Sequence, residues 1–205
     1  MTILCFGDSN THGTMPMPSL DFEGRFGHEA RWPSVLAKAT GHEVINEGHP
    51  GRTTVHDDPM SGPHRNGLTV LPALLESHKP LDLVIVKLGT NDLKHCFHVS
   101  AHDIAFCLER LANVIRTQAP KAKILIVAPP PILEQGCLAQ MFSEGAAKSR
   151  QLAPAIEAMC QRTGLNFFDA GAHVQVSPVD GIHYDAEAQV TLGLALADAV
   201  RDILA

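Results

Sequence analysis

Ile3-Leu4-Cys5-Phe6 is an unbroken apolar run that stops at Gly7 and gives way at once to Asp8-Ser9-Asn10. A strand that ends so abruptly in a polar turn fits an open parallel α/β sheet, whose ligands gather at the carboxyl ends of the strands. The same event recurs along the chain. Glu43–Asn46 leads into Glu47-Gly48-His49-Pro50-Gly51-Arg52, and the apolar run Asp82–Leu88 meets Gly89-Thr90-Asn91-Asp92. Lys123–Ala128 stops at three prolines, and Asn166–Phe168 is a short fifth strand. The nearly continuous apolarity of 82–88 is that of a central strand buried on both faces.

Helical patterns fill the intervals. Trp32-Pro33-Ser34 opens a helix with Val35, Leu36 and Ala39 as its apolar stripe and Gly41 as its stop. Thr69 can cap a helix from Val70 to about His78, with Pro72 in its first turn. Ser100 or Ala101 begins a helix to Gln118, with Ile104, Leu108, Leu111 and Ile115 at helical spacing. Ser143 to Thr163, closed by Gly164, and Ala186 to Leu204 complete the set. Strands alternating with helices predict one right-handed α/β domain over residues 1–205, a three-layer α/β/α sandwich around a five-stranded parallel sheet. Two connections, 10–31 and 132–142, are long and rich in apolar residues, which marks them as functional or interfacial.

Composition narrows the function. The formal net charge is −6 and no basic patch or charge run is present, so a nucleic-acid partner is not expected. No stretch approaches the roughly 18 to 20 apolar residues of a membrane span, and Gly7-Asp8 interrupts any signal-like run, so neither membrane insertion nor secretion is expected. Cys5, Cys96, Cys107, Cys137 and Cys160 are odd in number and widely spaced, a pattern of reduced thiols in a cytoplasmic protein.

The four turns supply the parts of an acyl-transfer site. Ser9 offers a hydroxyl nucleophile, and His183 the base that accepts its proton. Asp180, three residues before His183, can orient the imidazole. The N–H of Ser9, the N–H of Gly51 and the side-chain amide of Asn91 are three candidate donors to a tetrahedral oxyanion. Each alone has a plainer reading: a helix cap for Ser9, turn residues for Gly51 and Asp180-Gly181, a turn and cap pair for Asn91-Asp92, and a surface or core role for one histidine among twelve. Their joint occurrence at successive strand ends favours the catalytic reading. Asp8 and Asp92 are read as supporting or capping carboxylates, since neither is tied in sequence to a histidine. No H-E-x-x-H and no three-ligand cluster is present, so no metal is expected, and no cofactor is required.

Gly7-Asp8-Ser9, Gly51 after Asn46-x-Gly48, Gly89-Thr90-Asn91-Asp92 and Asp180-x-x-His183 resemble the four blocks of the SGNH (GDSL) hydrolase family, in the same order and across nearly the whole chain. The resemblance implies a flavodoxin-like sheet of order 2-1-3-4-5, a triad of Ser9, Asp180 and His183, and an oxyanion hole of Ser9, Gly51 and Asn91. Asn10 departs from the leucine of the family motif and reads as a neighbour of the nucleophile, not a participant. Arg31-Trp32, Gly51-Arg52-Thr53-Thr54, Asp57-Asp58-Pro59, Asn66-Gly67 and Phe167-Phe168-Asp169-Ala170-Gly171 are similar to the bacterial arylesterase/acyltransferase branch. That similarity implies a serine esterase of small acetyl-type or aryl esters, and a homo-oligomer (an octamer in that branch) whose interface would use 10–31 and 132–142. Acyl transfer to alcohols or peroxide, deacetylation of a carbohydrate, and a non-catalytic ligand-binding role are the alternatives.

Overall fold

The computed structural model covers residues 1–205. Its five strands are β1 (Thr2–Gly7), β2 (Glu43–Gly48), β3 (Leu83–Lys87), β4 (Lys123–Ala128) and β5 (Asn166–Asp169). They pair only in parallel, in the order β2-β1-β3-β4-β5, which is the expected 2-1-3-4-5 arrangement. The order in which strands are added reverses at the β1/β3 boundary, so loops leaving those two strands diverge and open a crevice there.

The helices are α1 (Ser9–His12), α2 (Trp32–Thr40), α3 (Gly67–Ser77), α4 (Ala101–Gln118), α5 (Gly145–Ser149), α6 (Leu152–Thr163) and α7 (Ala186–Leu204). Strand side chains alternate between two cores. Leu4, Phe6, Val84, Val86 and Ile126 face α3, α4 and α6, whereas Ile3, Cys5, Leu83, Ile85, Leu125 and Val127 face α2 and α7. Full burial of each such side chain contributes about 1.5–3 kcal/mol. Both cores therefore hold the strand ends, and the loops leaving them, in fixed register. No helix is long and apolar enough to cross a membrane.

Two helix assignments from sequence differ from the structure. The stretch expected as one helix from Ser143 to Thr163 is two, α5 and α6, with Arg150 and Gln151 between them. The reason is Pro154, which lacks the N–H that residue 150 would accept and whose ring crowds that carbonyl. Restarting the helix at Leu152 places Pro154 in the first turn, where no N–H is needed. The second difference is the start of α3. Its cap is Asn66 and not Thr69, because the Asn66 side-chain Oδ1 accepts from the N–H groups of both Leu68 and Thr69. The helix thus begins at Gly67, and Pro72 lies in its interior.

Candidate active site

Ser9, Asp180 and His183 come together at the carboxyl edge of the sheet although 171 or more residues separate the first from the other two. Gly7 ends β1, and a Cβ there would stand 2.0 Å from Thr11 Oγ1. Only glycine lets the chain fold back so tightly, and α1 then carries Ser9 as its first residue, with an N–H that has no partner within the helix. Asp8 caps this turn, accepting from Asn10 N–H at 3.0 Å.

Ser9 Oγ lies 3.0 Å from His183 Nε2, and His183 Nδ1 lies 2.6 Å from Asp180 Oδ2. All three residues are buried. Asp180 Oδ1 also accepts from the N–H groups of Ile182 and His183, each at 2.9 Å, and Oδ2 accepts from Met17 N–H at 2.6 Å. Burial by itself would raise the Asp180 pKa. The hydrogen bond and charge of His183 and the backbone donors outweigh it and hold the carboxyl below its ordinary value. An ionised Asp180 assigns the proton of the neutral imidazole to Nδ1, which leaves Nε2 as an acceptor facing the serine. This arrangement can draw a proton from Ser9 Oγ as it attacks a carbonyl carbon.

Ser9, Gly51, Asn91 and His183 line one cavity of about 250 Å³. Gly51 adopts φ +76°, a left-handed conformation open to glycine, and its N–H makes no hydrogen bond within the chain. Asn91 Nδ2 donates to Arg52 O at 3.1 Å, which fixes the amide and leaves its second N–H free. The candidate donors therefore share a wall of the same cavity as the serine.

Asp92 is fully buried and has a histidine partner remote in sequence: His56 Nδ1 is 2.8 Å from its Oδ1. It also accepts from Thr54 N–H and, at 2.5 Å, from Thr54 Oγ1. The hydrogen bond to Asp92 raises the His56 pKa. This cluster does not include Ser9; it anchors 54–56, the segment that leaves the Gly51 turn.

Five further residues shape the site and were not singled out as functional from sequence. Arg52 donates to Gly7 O at 3.0 Å and to Glu47 O, and its guanidinium lies 4.3 Å from the Phe6 ring centroid, so it clamps the ends of β1 and β2. Lys87, buried on β3 beside Gly7, sits 4.8 Å from the centroid of Tyr184, and burial lowers its pKa. Met17 brings 10–31 to Asp180, and Cys137 Sγ donates to Met17 O at 3.3 Å, so the two long connections meet behind the triad. Asn10 is more than a neighbour of the serine. Its Nδ2 donates to Ile182 O at 3.0 Å and its Oδ1 accepts from Tyr184 N–H at 3.2 Å, bracketing His183. The departure of Asn10 from the family's leucine was the one sequence signal for that role.

No three His, Cys, Asp or Glu side chains are placed to hold a metal ion. A cleft of about 380 Å³ between Lys79–Asp82 and Gln118–Ala122 lies at the opposite end of the sheet and contains none of the groups above.

Comparison with known proteins finds a matching family and similar solved structures. The model of the GDSL-like lipase/acylhydrolase family matches residues 5–189. The native aryl esterase of M. smegmatis is 39% identical over 99% of both chains, with a TM-score of 0.94. Est24, a carbohydrate acetylesterase from Sinorhizobium meliloti, is 38% identical over 98% of this chain and 99% of its own, also at 0.94. A carbohydrate acetylesterase family member from the same organism is 40% identical over 99% and 98%, at 0.92. No curated protein sequence matches the chain.

Proposed function

The chain belongs to the GDSL-like lipase/acylhydrolase family, and on that premise we propose that it is a serine esterase in which Ser9 is the nucleophile, His183 the base and Asp180 its orienting acid. The observation that carries this reading is the continuous relay from Asp180 Oδ2 through His183 to Ser9 Oγ, at 2.6 and 3.0 Å.

Ser9 Oγ attacks the ester carbonyl as its proton passes to His183 Nε2. The oxygen of the tetrahedral intermediate takes hydrogen bonds from Ser9 N–H, Gly51 N–H and Asn91 Nδ2. Collapse breaks the carbonyl carbon–alkoxy bond, and the leaving alkoxide takes the proton from His183. Water then attacks the acyl-enzyme by the same route, giving the acid and restoring Ser9. Asp180 stays ionised throughout and stabilises the imidazolium. Asp8 and Asp92 support the nucleophile turn and the 54–56 segment without touching substrate. No step calls for a cofactor.

A small ester is the substrate this reading favours. The cavity of about 250 Å³ is below the roughly 300–1,000 Å³ of ordinary ligand sites, and the similar M. smegmatis protein is an aryl esterase. A carbohydrate acetyl ester is the second reading, favoured by the similarity to the S. meliloti acetylesterases. We further propose that residues 1–205 act as one domain in a homo-oligomer. Leu20, Met60 and Met141 are exposed large apolar side chains at or beside the cavity mouth, a surface suited to a second copy. Five unpaired cysteines support a cytoplasmic location.

The test is Ser9→Ala with 4-nitrophenyl acetate. Loss of turnover together with loss of fluorophosphonate labelling is expected, and wild-type turnover in the variant would sink the assignment.

A further inference from the structure

We propose that the ester substrate carries an anionic group, a carboxylate or its equivalent, and that Arg65 binds it. This rests on the serine-esterase reading and adds to it the charge of the substrate.

Arg65 lines the same cavity as Ser9 and His183. Its Nη1 stands 2.9 Å from where a Cβ on Gly51 would sit, so the guanidinium lies against the turn that presents the Gly51 N–H. The Arg65 side chain makes no hydrogen bond and no ion pair within the chain, and its Nε is buried without a partner. Such a group is costly to leave unpaired, and every other charged group nearby is committed. Lys94, the second cation on the cavity wall, is bonded at 2.6 Å to Asp58 Oδ2. Asp58 Oδ1 accepts from the N–H groups of Met60 and Ser61, and although the Asp58 charge is felt at Arg65, the carboxylate makes no hydrogen bond or ion pair with it. No Asp or Glu lines the cavity.

The neighbouring His49 adds no second positive charge. His49 is pushed down to about 4 by burial and by the charges of Arg52 and Arg65, so it is neutral at pH 7. The site thus presents one planar cation, unbonded within the chain, with two or more free N–H groups beside the reacting centre. A carboxylate matches that fork in two parallel hydrogen bonds, which a neutral ester cannot form. The formal charge of −6 repels anions at long range, so the preference is a contact effect and appears in binding at the site, not in steering.

The experiment compares matched ester pairs that differ by one negative charge. 4-Nitrophenyl hydrogen succinate against 4-nitrophenyl methyl succinate places the charge on the acyl side. 4-Acetoxybenzoate against methyl 4-acetoxybenzoate places it on the alcohol side. The wild type is expected to favour the anionic member in at least one pair, and the favoured pair locates the charge. Arg65→Gln is expected to lower the anionic-to-neutral ratio of kcat/KM by about 10- to 100-fold, Arg65→Lys to keep part of it, and Arg65→Glu to reverse it. Equal kcat/KM within both pairs in the wild type, or a ratio unchanged in Arg65→Gln, overturns the proposal while leaving the esterase standing. Absence of turnover with all four esters and with 4-nitrophenyl acetate would instead overturn the esterase reading itself.

Discussion

Replacing Asp180 by asparagine changes one oxygen to an amide, and the structure specifies the outcome. Asp180 accepts four hydrogen bonds: Ile182 and His183 N–H on Oδ1, and Met17 N–H and His183 Nδ1 on Oδ2. The asparagine oxygen can keep the first two. Its NH₂ then occupies the Oδ2 position and meets the Met17 N–H donor to donor. The same NH₂ donates to His183 Nδ1, which drives the ring proton to Nε2. That nitrogen now donates to Ser9 Oγ and cannot accept its proton. The loss expected for a triad held in the wrong tautomer is about 10⁴-fold in kcat, or about 5.5 kcal/mol of barrier. The unpaired Met17 N–H adds a destabilisation of about 1–3 kcal/mol.

The assay is steady-state hydrolysis of 4-nitrophenyl acetate by Asp180→Asn and wild type, with thermal unfolding of both from pH 7 down to pH 3. The sign of the pH term follows from the depressed Asp180 pKa. A carboxyl whose folded pKa lies below its unfolded value of about 3.9 contributes stability that is present above that value and lost as pH falls through the folded one. The gap in Tm between wild type and variant should therefore be full near neutrality and shrink in acid. A folded Asp180→Asn protein that retains kcat within ten-fold of wild type would refute the assigned tautomer and the role of Asp180 with it.

Two further variants test the walls of the site. Asn91→Ala removes one proposed oxyanion donor and should lower kcat about 10²- to 10³-fold with little change in KM; a loss confined to KM would make Asn91 a substrate-binding group instead. Asn10→Leu, which installs the residue of the family motif, leaves Ile182 C=O and Tyr184 N–H buried without partners. It should lower Tm and, by loosening the segment that carries His183, lower kcat more than it raises KM. Unchanged kinetics in a destabilised Asn10→Leu protein would confine the residue to a structural role.

The strands, their alternation with helices and the candidate triad residues are legible in the sequence because their signals are local, whereas the strand order is implied only by the resemblance to the family. An apolar run, Ile3–Phe6 ahead of Gly7 or Leu83–Leu88 broken only by Lys87 ahead of Gly89, announces a strand and its turn without reference to any other part of the chain. Asp180 and His183 are three residues apart, so the turn between them alone brings the acid to the base. The break between α5 and α6 is likewise written locally, since Pro154 sets the helix start.

Tertiary structure decided what depends on convergence. Asp92 meets His56 across 36 residues, Asn10 brackets His183 across more than 170, and Arg52 joins Gly7 O to Glu47 O. None has a periodicity or spacing that announces it, because a hydrogen bond between remote segments leaves no pattern along the chain. The isolation of Arg65 is of the same kind. Its charge is written in the sequence, but that the nearest carboxylate, Asp58, is bonded to Lys94 and not to Arg65 follows only from the fold. Local order and burial were thus set by residue pattern, whereas the groups that position the base and read the substrate were set by which strand ends the two cores bring together.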